Sequence, residues 1–268
     1  MRHGNESLVQ QFVRNSKESL KPCLKEYGLV LYSHKSTLRR NPVLFYGYNP
    51  GCDPSVSHPI RWTIEQSLDY FEDGFKILED SEFRGNNPGL INEQRWPTPS
   101  FSRDYDKGQA PYQRRTRCLL EAIGCCDALV TNLFFRQTRD AEQLRATLGD
   151  DFVEACWRVH EIIFRITEPN VIIACREVVR QMFRREFGLG SSPISEIRAK
   201  HAEWKCRHWQ GNWEGRPIDV LEIPHFSRYD ITKPARKSVL DWAEEIVSTC
   251  VETRGTDLPQ LASQDTNR

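Results

Sequence analysis

The chain has 268 residues, with 37 basic and 37 acidic side chains and a formal net charge of zero. Its apolar fraction of 38% and charged fraction of 28% suit a soluble globular protein, and the length suits one large domain or two small ones. A zero balance excludes capture of a polyanion by bulk charge alone, while a local basic surface remains compatible with nucleic acid.

No run of about 18 apolar residues occurs, so no membrane span is expected. The opening "MRHGNESLVQQF" lacks the apolar core of a signal peptide. Nine cysteines, none in a C-x-x-C pair, fit the reducing cytoplasm and predict no zinc ribbon. Their spacing gives no clear iron–sulfur site, although it does not exclude dispersed ligands. The expectation is a protein without metal or small-molecule cofactor, with oligomeric state left open.

In chain order, Leu8, Val9, Phe12 and Val13 share a face and predict a helix over 5–21. "PVLFYGY" at 42–48 reads as a buried strand, followed by a helix over 62–80. A long irregular insertion, 81–111, comes next; loops of that length are usually functional or mobile. A helix near 112–123 leads to the strand "DALVTNL" at 127–133. Phe152, Cys156, Val159, Ile163 and Ile166 mark an amphipathic helix over 151–167, and "PNVIIAC" at 169–175 is a strand. Val178, Val179, Met182 and Phe183 mark another helix. The stretch 203–223 predicts a hairpin turning around Gly211 to Gly215, with its second arm at 217–223. Val239, Trp242, Ala243, Ile246 and Cys250 define a last helix over 234–251. The polar 253–268 reads as a disordered tail behind one domain, 1–252.

Helices interleaved with short apolar strands imply an α/β fold: three layers, α/β/α, around a mostly parallel sheet. In such sheets ligands bind beyond the carboxyl ends of the strands. Three strands run out into polar residues there: Asn49, Asn132 and His225.

In this order the motifs resemble the uracil-DNA glycosylase superfamily. "GYNPG" at 47–51 is similar to the first motif of its G-x-N-P-G branches, the mismatch-specific and single-strand-selective glycosylases. "TNLFF" at 131–135 resembles the strand end carrying a base-reading asparagine. "PHFSRYD" at 224–230 resembles the H-P-S-P motif, with Phe226 and Arg228 standing where the prolines would fall. The resemblance covers about 42–250 and implies a uracil-DNA glycosylase-like fold.

It also implies roles, each with a plainer alternative. Glycosidic cleavage puts positive charge on the sugar and negative charge on the departing base. Asn49 would position the attacking water; its plainer role is a turn asparagine before Pro50. Asp53 is the second candidate base, otherwise a surface carboxylate. His225 would donate to the leaving base, or merely cap a strand end. Asn132 would read a pyrimidine edge, or cap the next segment. Trp62 would stack on the flipped base, or pack in the core. Gly51 stands where the uracil-specific branch has a tyrosine that blocks pyrimidine C5, so a bulky 5-substituent fits the pattern; a turn alone also explains a glycine. Ser227, Arg228 and Tyr229 would contact DNA, with Tyr229 as the wedge left in the stack. Arg114, Arg115 and Arg117, and Lys233, Arg236 and Lys237, would hold phosphates or form solvated helix faces.

No P-loop, H-E-x-x-H or G-x-S-x-G motif occurs, and no lysine is singled out for Schiff-base chemistry. The leading expectation is a monofunctional DNA glycosylase that leaves an abasic site. Its base is uracil or a 5-modified pyrimidine such as the glucosylated hydroxymethylcytosine of phage DNA, which would place it in antiviral defence. The rival is a non-catalytic binder of damaged or modified DNA.

Overall fold

The computed structural model describes residues 7–49, 63–73, 111–138, 140–226 and 228–255. The chain enters through α1 (Leu8–Ser19), where Ser7 and Gln10 form a reciprocal capping box. The strand β1 (Val43–Gly47) is buried at every position. Next come α2 (Ile64–Asp73), α3 (Pro111–Ala122) and β2 (Leu129–Asn132). The short helix α4 (Ala141–Thr147) starts on Asp140, whose carboxylate accepts from the backbone N–H groups of Glu142 and Gln143. It leads to the long α5 (Asp150–Thr167) and to β3 (Val171–Cys175). One continuous helical stretch follows, made of α6 (Arg176–Val178), a π-helical segment (Val179–Phe183) and α7 (Arg184–Glu186). The strands β4 (Ser195–Arg198), β5 (Lys205–Trp213) and β6 (Arg216–Ile223) precede α8 (Lys237–Gly255).

The strands form one sheet in the order β2-β1-β3-β6-β5-β4. The first four run parallel, and β5 and β4 are added antiparallel. Alternation along the strands sorts the core into two faces. Leu44, Tyr46, Ile172, Ala174 and Val220 meet Phe12 of α1, Ile163 of α5 and Phe183. Val43, Phe45, Val171, Ile173 and Leu221 meet Leu119 and Leu120 of α3 and Val239 and Ala243 of α8. With both faces covered, β1 and β3 are buried along their whole length, and the architecture is α/β with helices on either side of a mixed, mostly parallel sheet. Among the described residues no helix is long and apolar enough to cross a membrane.

The β5–β6 turn is tighter than the sequence suggested. Only Glu214 and Gly215 lie outside the strands, with φ of 47° and 84°, as a two-residue type I′ turn requires. Gly211 belongs to β5 instead. A Cβ there would lie 2.4 Å from the Phe187 carbonyl oxygen, so glycine allows a close crossing rather than a turn. The last helix runs on to Gly255, past the expected tail boundary. Most of the 81–111 insertion, with residues 256–268, falls outside the described residues.

From β1 the chain passes to β2 on one side, then returns to β3 on the other side of β1. The carboxyl ends of β1 and β3 therefore flank the topological switch point, where open α/β sheets form their ligand crevice.

Candidate functional site

Gly47, the last residue of β1, lies in register opposite Asn132, the last residue of β2. The pairing continues into the loops, with Leu133 N–H donating to the Gly47 carbonyl and Phe134 N–H to the Tyr48 carbonyl. A Cβ on Gly47 would stand 2.0 Å from Asn132 Oδ1 and 2.5 Å from the Tyr112 hydroxyl oxygen. Glycine is thus what lets an amide and a phenol share the space above the strand end.

Asn132 is 4% exposed and held from two sides. Its amide is hydrogen-bonded to the Tyr32 hydroxyl. Tyr32 arrives because the segment after α1 runs along the outer edge of β2, its own N–H donating to the Val130 carbonyl and Thr131 Oγ1 donating to the Val30 carbonyl. On the inner side His160 braces the exit of β2. Its Nε2 donates to the Leu133 carbonyl at 2.9 Å, which leaves Nδ1 to accept from the Tyr46 hydroxyl at 3.2 Å. Burial lowers the pKa of His160 to about 4, so it is a neutral structural group.

His225 stands two residues beyond β6, half-buried, with its ring centroid 5.2 Å from that of Tyr112 and the planes inclined by 31°. Burial lowers its pKa, the nearby Glu177 carboxylate opposes that shift, and Arg228 reinforces it. The result is an imidazole biased towards the neutral form. Tyr112 itself is biased against ionisation, first by burial and then by its neighbours Cys175 and Tyr32. Tyr112 therefore links the Asn132 end of the crevice to the His225 end.

The His225 loop is fixed without the expected prolines. Phe226 is 1% exposed and stacks on Phe45 of β1, with centroids 5.8 Å apart and planes inclined by 25°. The Arg115 guanidinium donates to the Phe226 carbonyl and faces Asp230 at 3.4 Å. The N–H groups of Arg228 and Tyr229 both donate to the His225 carbonyl, closing a helical turn. An aromatic anchor and an arginine clamp supply the stiffness that prolines would give.

Asn49 is placed on the rim. Its Nδ2 donates to Thr138 Oγ1 at 2.7 Å, and Thr138 in turn donates to the Asp140 carbonyl at the start of α4. Asn132 and His225 are brought together through Tyr112, and Asn49 sits two residues past Gly47 with its amide plane set by Thr138.

Two readings of the sequence are corrected. Tyr229 is fully buried, its hydroxyl donating to the Ala199 carbonyl at 2.7 Å and its ring lying under the Arg236 guanidinium at 4.4 Å. It cannot enter a DNA stack without leaving the core; Arg228, beside it, is exposed. Arg115 and Arg236 are not phosphate contacts, because each holds a backbone carbonyl of this loop. Arg117 and Lys237 are paired within their own helices with Glu121 and Asp241. Gly51, Asp53, Trp62 and Ser227 lie outside the described residues.

Tyr112, Tyr32 and Glu177 are site residues that the sequence reading missed. Tyr112 had a signal, since it shares the inward face of its helix with Thr116, Leu119 and Leu120 and opens that helix next to the crevice. Tyr32 had none, because it lies in irregular chain. Together an amide, a phenol and an imidazole biased towards the neutral form stand beside one another at the carboxyl ends of the strands. Comparison with family models and with curated proteins gives no match.

Proposed function

We propose that the crevice is the active site of a monofunctional DNA glycosylase. It would take a flipped pyrimidine, uracil or a 5-modified cytosine, and hydrolyse its N-glycosidic bond to leave an abasic site. The observation that carries the reading is the Asn132–Tyr112–His225 arrangement above Gly47. An asparagine amide matches the donor and acceptor pattern of a pyrimidine edge. An adjacent phenol ring offers a π-face for the base. A neutral imidazole can donate its N–H to the oxygen on which charge develops as the base departs, and does so best where water is excluded. Asn49, with its amide held by Thr138, is the group that orients the attacking water. An amide is too weak a base to deprotonate it, so the water attacks a sugar already carrying oxocarbenium character. The partner is DNA, with Arg228 as the exposed contact on the His225 loop.

The test uses DNAs bearing uracil, a thymine mismatch, hydroxymethylcytosine or its glucosylated form, each treated with alkali to cut abasic sites. Release of one of these bases, lowered about 100- to 1,000-fold in His225→Ala and in Asn49→Ala with DNA binding retained, supports the assignment. DNA binding with no base released from any of the four identifies a non-catalytic binder instead.

A further inference from the structure

The opposite end of the sheet carries a second cluster of functional groups. Asp219 pairs in register with Val171 at the start of β3, and so lies six positions before His225, about 20 Å along an extended strand. Asp219 is 2% exposed, and its Oδ1 lies 2.7 Å from His208 Nε2. The β5–β6 register sets Gln210 opposite Asp219 and His208 opposite Leu221, so His208 and Asp219 are diagonal neighbours on the face covered by α8. Cys250 comes from α8, in the buried stripe that includes Val239, Ala243 and Val247. One donor atom from each of His208, Asp219 and Cys250 lies within 4.8 Å of the other two.

The geometry points to a divalent metal site, His208–Asp219–Cys250, suited to Zn²⁺. Imidazole nitrogen, carboxylate oxygen and thiolate are the donors this borderline ion takes. Tetrahedral bonds of about 2.0–2.3 Å set donors roughly 3.3–3.7 Å apart, inside the span of separations seen here. Each donor is carried by a different element, and the strand register fixes two of the three. On binding, the Cys250 thiol gives its proton to solvent and a sulfur–metal bond forms. The His208–Asp219 hydrogen bond breaks, and the imidazole proton moves to Nδ1 so that Nε2 can ligate. One thiolate and one carboxylate then neutralise the dication, so no net charge is buried. The side chain of His208 is 12% exposed, which leaves a path for water as the fourth ligand. Such an ion would pin the end of α8 to the sheet, far from the crevice.

The test uses the full chain stripped by chelator. One equivalent of Co²⁺ per chain should give a thiolate-to-cobalt charge-transfer band, displaced by Zn²⁺. Zn²⁺ at about a hundredfold excess over its Kd should raise Tm by roughly 5–10 °C. Cys250→Ala and His208→Gln should each abolish the stoichiometric band. If either variant fails to fold, X-ray absorption on the cobalt-loaded wild type decides, with one sulfur and the rest nitrogen or oxygen expected. Absence of the band and of the Tm shift in the wild type overturns the site. So does a band that survives in Cys250→Ala, or a shell with two or more sulfurs.

Discussion

Replacing Tyr229 with alanine separates a wedge from a core residue. Its side chain is fully buried, so truncation removes an aromatic ring from a packed interior, a change that typically costs about 3–5 kcal/mol. Two further losses accompany it. The Ala199 carbonyl loses the phenol that donates to it at 2.7 Å, worth about 1 kcal/mol. The guanidinium of Arg236, 5% exposed, loses the ring beneath it. The expected destabilisation of Tyr229→Ala is therefore about 4 kcal/mol or somewhat more, against about 1 kcal/mol for Tyr229→Phe. A domain of ordinary stability, about 5–15 kcal/mol, survives that loss with little margin. Urea unfolding at 25 °C, with m-values compared to confirm that the denatured states match, gives both numbers. Excision, where measurable, should fall alike on single-stranded and duplex DNA, since both follow the folded fraction. A Tyr229→Ala protein within about 1 kcal/mol of wild type, slowed only on duplex, would refute the burial argument and restore the wedge.

Two other substitutions test the site and the core behind it. Gly47→Ala places a Cβ 2.0 Å from Asn132 Oδ1 and must displace the amide or the Tyr112 ring, so base release should fall at least about tenfold while far-ultraviolet dichroism stays unchanged; a wild-type rate would show that neither group reads the base. His160 has a folded pKa of about 4 against about 6.5 when unfolded, so its contribution is complete above pH 6.5 and is lost as pH falls towards 4. The loss amounts to about 3 kcal/mol, and His160→Gln should flatten that part of the stability-against-pH curve; an identical slope in the variant would mean that other groups set it.

The elements legible in the sequence are those whose apolar pattern is strong. "VLFYG" and "VIIAC" are buried on both faces and read as strands at once. The stripe of α5 from Phe152 to Ile163 reads as a helix for the same reason. By contrast β4, "SEIR", alternates between exposed and half-exposed positions, so no apolar signal marks it, and only its register with β5 defines it. The helix α4 has seven residues and one buried apolar side chain, Leu144, too few for a period to show. The site divides in the same way. Asn132 and His225 sit at strand ends, and strand ends are visible. Tyr32 reaches Asn132 from irregular chain 100 residues upstream (132 minus 32), a contact made by tertiary folding alone. Tyr229 was misjudged because a match to a motif position gives a place along the chain and not a direction. The turn that donates Arg228 N–H and Tyr229 N–H to the His225 carbonyl buries Phe226, Tyr229 and Ile231, and leaves Arg228 outside.

That loop also shows how the fold can hold His225 in the neutral form. A histidine on a mobile loop would be hydrated and would titrate near 6.5. Here the Tyr112 ring lies against the imidazole, burial lowers its pKa, and Arg115 ties the loop to the helix that carries Tyr112. The carboxylate of Glu177, in α6 just after β3, pulls the other way and limits the depression. Burial is thus the largest influence on this imidazole, and the charges of Glu177 and Arg228 act on it in opposite senses. Under the proposed function that balance keeps neutral the group that donates to the departing base, and the residues that set it belong to α3 and α6 as much as to the loop itself.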